Sequence, residues 1–421
     1  MSPRVAAALA VAALSLALAQ PASADFGFLR AWGTVGNDDG QFALPDGIGV
    51  DTAGTVWVAD RDNNRVERFT ADGRFRDFKV LRHQHRSPAP GRLNLPYDVA
   101  PDALGNVYVA DTHNHRIQEF SPTGRLIRKW GSLGSGSGQF FQPRGIAIDP
   151  FGNVWVADHE NHRVQKFTST GHFLGRFGAN GGDGTYGGGW GEFNSPRGLS
   201  SDAAGNIYVA DDANHRIVKL SNDGVTLAQW GRADLQPGAA DGEFNLPYGT
   251  AVDPLGHLWV ADTLNNRLVE MTTDGQVIAK YGARGGNGSA GNGRGQFKEL
   301  YNVGTDCVGN VYVTDKANWR VQKFGDPSFG RPVCPPAVSV AGVSVAGRVV
   351  SGTVTCDRPC RARAVLGSSR GRERVLPQGG SVRVAVRAPR AASGRVAVRF
   401  TGSGVPGAVS SVVRRVQVKP G

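Results

Sequence analysis

The chain has 421 residues and a net charge of +11, enough length for one large ring-like domain plus a smaller one. The charge is lopsided: from Pro335 onward, 14 Arg and one Lys face only Asp357 and Glu373, a balance of +13 that leaves −2 for everything before. A near-neutral main body argues against a nucleic-acid partner, and an acidic partner belongs to the basic tail.

In chain order, residues 1–24 read as a secretory signal peptide. Arg4 opens it, Val5 to Ala19 is an almost unbroken run of Ala, Leu and Val, and Gln20 to Ala24 ends in a small-x-small pattern. Cleavage is expected after Ala24, giving a secreted, extracellular protein. The apolar run is shorter than the roughly 20 residues that a membrane span needs. No later stretch is apolar enough to cross a bilayer, so no transmembrane segment is expected.

Residues 25–326 are built from one unit repeated six times. The string Val-Ala-Asp-x-x-Asn-x-Arg recurs with its Asp at Asp60, Asp111, Asp158, Asp211 and Asp262, and a sixth copy has Thr314 before Asp315. Each copy follows an Asp/Gly turn pair, from Asp51/Gly54 to Asp306/Gly309. Within a unit the pattern predicts four short strands and tight turns. Val154 to Ala157 is apolar at every position, as a strand buried on both faces must be. Such units describe the blades of an all-β, six-bladed β-propeller. The sixth unit has only three strands. Phe28-Leu-Arg-Ala-Trp-Gly33 matches Leu126-Ile-Arg-Lys-Trp-Gly131, so the N-terminal strand is expected to close the last blade, with Phe28 and Trp32 buried there.

The repeat resembles the NHL repeat, closest at Asn114-His115-Arg116, Asn161-His162-Arg163 and Asn214-His215-Arg216. The resemblance covers residues 26 to about 325 and implies the propeller fold. It leaves function open, because NHL propellers serve as lyases, RNA-binding modules, sensors and interaction platforms. Residues present in every blade read as scaffold: the Asp and Arg are expected to bond loop amides and each other in bidentate fashion. His115, His162 and His215 share a slot held elsewhere by Asn64, Asn266 and Trp319, and read as solvated turn residues.

A site belongs where the blades differ. The first residue of each innermost strand changes round the ring: Asp46, Tyr97, Arg144, Arg197, Tyr248 and Tyr301. The next position holds Gly47, Asp98, Gly145, Gly198, Gly249 and Asn302, the glycines letting the strands crowd near the axis. Asp46, Tyr97, Asp98, Arg144, Arg197, Tyr248 and Tyr301 are therefore the predicted ligand-binding funnel mouth. The peptidyl-hydroxyglycine amidating lyases, which resemble this fold, place zinc-binding His just after the Pro that leads into the inner strand. Here those slots hold Asp46, Tyr97, Arg144, Arg197 and Tyr248, so no metal or other cofactor is expected. The reading is an extracellular propeller that binds a protein, peptide or glycan; the alternative is a lyase or hydrolase acting at the funnel.

A Pro-rich linker, 327–337, leads to a Val/Arg-rich segment, 338–421, whose alternating strands suit a small basic β-sandwich resembling an immunoglobulin-like module. Its arginines suggest an anionic cell-wall polymer or another acidic partner. Four cysteines fit two disulfides in an exported protein. Of three possible pairings, Cys307–Cys334 and Cys356–Cys360 are favoured.

Overall fold

The computed structural model describes residues 26–76, 86–327 and the strands between 338 and 418. The proposed signal peptide lies outside the described residues. Six four-stranded antiparallel sheets follow one another round a ring. The third is typical: Pro143–Ile148 innermost, then Val154–Asp158, Arg163–Phe167 and Phe173–Phe177 outermost. Its second strand is buried at all five positions, as an unbroken apolar run requires when each blade is packed between two others. The inner strand of blade 6, Leu300–Thr305, packs against that of blade 1, Pro45–Val50, so the ring is closed. Among the described residues no helix is long and apolar enough to cross a membrane.

The N-terminal strand Gly27–Trp32 completes blade 6, pairing antiparallel with Arg320–Gly325 from Gly27↔Gly325 to Trp32↔Val321. Phe28 and Trp32 are partly rather than fully buried. They sit on the outermost strand, where one face of each ring looks outward. Phe28 meets Phe324 edge-on at 6.1 Å, and Trp32 lies 6.0 Å from Phe69 of blade 1. Phe26 stacks on Trp259 of blade 5 at 5.0 Å, so the closing segment touches three blades.

The repeated Asp, Asn and Arg form a clasp in every blade. In blade 3, Arg163 Nε donates to Asp158 Oδ2 at 2.8 Å, while its terminal nitrogens donate to the carbonyls of Ser135, Gly136 and Gln139. Asp158 Oδ1 accepts from the Phe141 amide, and Asn161 Nδ2 donates to Asp158 Oδ2. The expected bidentate pair is thus replaced by a single Asp–Arg bond. The guanidinium fork is spent on the carbonyls of the loop that leads into the blade, which it ties to the hairpin.

The residue between Asn and Arg is not a solvated turn group. It adopts a left-handed conformation and reaches the next blade. His115, His162 and His215 accept at Nδ1 from the amides of Gln142, Ser195 and Leu246. Asn64 and Asn266 accept at Oδ1 from Leu95 and Glu299. Burial lowers the pKa of all three imidazoles, favouring the neutral form that can accept. Five of the six blade junctions are stapled in this way. At the sixth stands Trp319, whose indole has no acceptor nitrogen.

Beyond the propeller, Val338–Ala346, Val349–Cys356 and Ser381–Arg387 form one antiparallel sheet. Cys360–Leu366, Gly394–Ser403 and Val409–Val418 form the body of another. Residues 328–337 of the linker, Cys334 included, lie outside the described residues.

Candidate functional site

Each inner strand begins at the same end of the ring, beside the hairpin that follows its own Val-Ala-Asp. The glycines one place into the strand leave no room for a side chain: a Cβ on Gly145 would come within 1.9 Å of the Arg197 carbonyl oxygen. The preceding residues therefore stand as a ring at the mouth, and the structure brings all six together. Arg144 lies over the Tyr97 ring, 4.7 Å from its centroid, and Arg61 is 5.3 Å from the same centroid. Arg197 lies over Tyr248 at 3.7 Å, donates to the Tyr301 hydroxyl at 2.7 Å, and is paired with Asp212. Tyr248 and Tyr301 meet edge-on at 4.6 Å. Lys316 is 3.9 Å above Tyr301.

Asp46 is fully buried and lies 3.4 Å from Arg61 and 3.5 Å from Lys316. Burial raises its pKa, opposed by Lys316 and Arg61. His159 is buried beside this ring. Its Nδ1 donates to the Pro196 carbonyl, and burial, with Arg144 and Arg197, pushes its pKa down to about 2.

The predicted mouth residue Asp98 is placed deeper than the others. It stands where four blades carry Gly, and its carboxylate accepts from the amides of Val99 and Ile146 and from Asn302 Nδ2. Burial pushes its pKa up to about 7, against the pull of the Ile146 and Val99 amides. Asp98 and Asn302 line both the mouth cleft and the chamber below it. That chamber is walled by Ile48, Val99, Ile146, Leu199 and Val303. The mouth is therefore a shallow polar cup with a hydrogen-bonded floor.

Sequence reasoning missed Arg61, Asp212 and Lys316. All three hold the position directly after Val-Ala-Asp, which reads Arg61, Thr112, His159, Asp212, Thr263 and Lys316 round the ring. That variation was the available signal, since the flanking Asp and Asn never change. The residues do not suit the zinc site that the lyase resemblance implies. Two of the slots after Pro hold guanidinium groups, which repel a divalent cation. Among the described residues no three His, Cys, Asp or Glu converge as metal ligands.

A ring of six blades, clasped by one Asp–Asn–Arg motif, is the architecture of a repeat propeller. The repeat is the NHL repeat, which matches residues 42–69, 93–120, 140–167, 193–220 and 244–270; the sixth blade builds the same clasp from Asp315, Asn318 and Arg320. The chain is 39% identical over 112 residues to peptidyl-glycine alpha-amidating monooxygenase of Mus musculus, 24% of this chain and 11% of that protein. It is 34% identical over 95 residues to NHL repeat-containing protein 3 of Homo sapiens, 21% of this chain and 26% of that one. The matches thus span a minor part of either relative. A protein of unknown function from Bacteroides thetaiotaomicron shares the fold with a TM-score of 0.53 at 18% identity, covering 72% of this chain and 75% of its own.

Proposed function

We propose that the chain is an exported binding propeller that takes an extracellular protein, peptide or glycan at the mouth of its ring. The observation that carries this reading is the convergence of six unrepeated side chains, one from each blade, on one polar, aromatic cup. A scaffold alone does not need it, because the clasps and staples already join the blades. The Val/Arg-rich strands 338–418 are read as a basic immunoglobulin-like sandwich that holds the protein to an anionic wall polymer, with Cys307–Cys334 fixing the linker and Cys356–Cys360 one strand end.

The test is a peptide and glycan array probed with the wild type and with Tyr248→Ala. Loss of capture by the variant at unchanged melting temperature supports the reading; identical capture by both overturns it. Salt-sensitive retention on an anionic matrix tests the tail.

The alternative read from the sequence, a lyase or hydrolase acting at the funnel, is the second reading. Stoichiometric zinc in the purified protein, with turnover of a hydroxyglycine peptide, would establish it in place of the first.

A further inference from the structure

Four cations crowd the mouth: Arg61, Arg144, Arg197 and Lys316. Three have acidic partners. Asp46 lies between Arg61 and Lys316, and Asp212 takes Arg197. Arg144 has none. Among the described residues none of its five donors finds an acceptor, and its Nε is buried away from solvent. Its neighbours are the Tyr97 ring, which covers one face, Arg197, which repels it, and, beyond hydrogen-bond reach, Tyr301 and Asp212, which attract it. Burial, with Arg197, lowers its pKa: the loss of water outweighs the pull of Tyr97, Tyr301 and Asp212. Folded proteins rarely leave a buried cation unpaired, because breaking such a pair is strongly destabilising. Arg144 is half-buried, so its fork stands open to a group from outside.

We infer that Arg144 is the anchoring residue of the cup and that it takes a compact oxyanion, the carboxylate or phosphate group of the ligand, in a two-pronged hydrogen bond. This rests on the binding reading above and names its chemistry. The guanidinium edge is free while the face is covered by Tyr97, so a planar fork is presented to a group with two oxygens. The cleft that Arg144 shares with Tyr248 and Tyr301 is narrow, about 20 Å³, so the group met there is compact and not a stretch of polymer. Asp98 lines the same cleft, but its oxygens are turned to the Val99 and Ile146 amides and to Asn302. The Arg197 and Lys316 charges, although paired, add to the attraction at this range.

Sodium acetate and sodium phosphate, each titrated at constant ionic strength into the full-length protein, test the inference by melting temperature. One of the two should raise it along a saturating curve, and which one does so tells carboxylate from phosphate. Arg144→Met should abolish the rise, an affinity loss of about tenfold or more, while Arg144→Lys, which keeps charge and loses the fork, should keep only part of it. Should Arg144→Met fail to fold, the Arg144 Nε–H resonance of the wild type must move on addition of the same anion. No response to either anion, a rise that persists in Arg144→Met, or a fixed resonance would overturn the inference. An array ligand that still binds Arg144→Met would sink it and leave the binding reading standing.

Discussion

The carboxylate of Asp98 in blade 2 accepts a hydrogen bond of 3.0 Å from the side-chain amide of Asn302 in blade 6. Blade 1 is skipped because its residue at this level is Gly47, where a Cβ would fall 2.4 Å from Asp98 Oδ1. Two departures from glycine have become partners in the space that glycine left. Replacing Asp98 by Ala strands the Ile146 amide and the Asn302 side chain. We expect a cost of about 1–3 kcal/mol for each buried donor left without a partner, read as a lowered midpoint in urea.

The imidazole staples make the ring acid-sensitive. The pKa values of His115, His162 and His215 lie below the ordinary 6.5 in the folded protein. As pH falls, the unfolded chain therefore takes up protons first. Their contribution is complete above about pH 6.5 and declines below it, through the folded values. Replacing all three by Asn, which staples two other junctions, should flatten the difference in melting temperature between pH 7 and pH 5.

Trp319 marks the junction without a staple. It already holds the left-handed backbone, with φ of 50°, that Asn tolerates better than Trp. Trp319→Asn should supply the missing acceptor for the Leu44 amide. A gain of roughly 0.5–1.5 kcal/mol is expected, measured by chemical denaturation; a loss would show that Trp319 packing outweighs the bond.

Arg163 is fully buried and holds four carbonyls besides Asp158, those of Ser135, Gly136, Gln139 and Gly182. Arg163→Ala should cost about 3–5 kcal/mol, since it leaves an unpaired buried carboxylate. The measurement is the urea midpoint, and the damage should map by hydrogen exchange to the loop 134–142 before it spreads.

Deleting residues 26–33 removes the outer strand of blade 6 and bares the edge of Arg320–Gly325. Loss of a single cooperative melt, with aggregation, is the expected outcome. An unchanged melting temperature would refute the closure.

The ring was legible in the sequence because each blade repeats its signals: Asp/Gly turns, an apolar second strand and the Asp–Asn–Arg string. Closure by Gly27–Trp32 was legible because that strand copies the outer strand of blade 2. Side-chain direction was not. Whether His162 faces solvent or a neighbouring blade depends on the left-handed twist of one residue, and composition does not record it. The same holds for Arg61 and Lys316, whose position beside the Asp of the repeat hid them within the scaffold. Asp98 lines the mouth cleft with the other residues read there, but its bond to Asn302 across the floor was not legible.

Because the first strand of the propeller pairs with its last, Arg320–Gly325, this ring has no finished intermediate. A chain emerging at roughly 5–20 residues per second carries Gly27–Trp32 without its partner until blade 6 is complete. Until then Phe28 lacks Phe324 and Trp32 lacks Tyr312. Final assembly therefore waits for blade 6, and a chaperone or a translocation pore that holds these first residues would set the moment at which the ring locks.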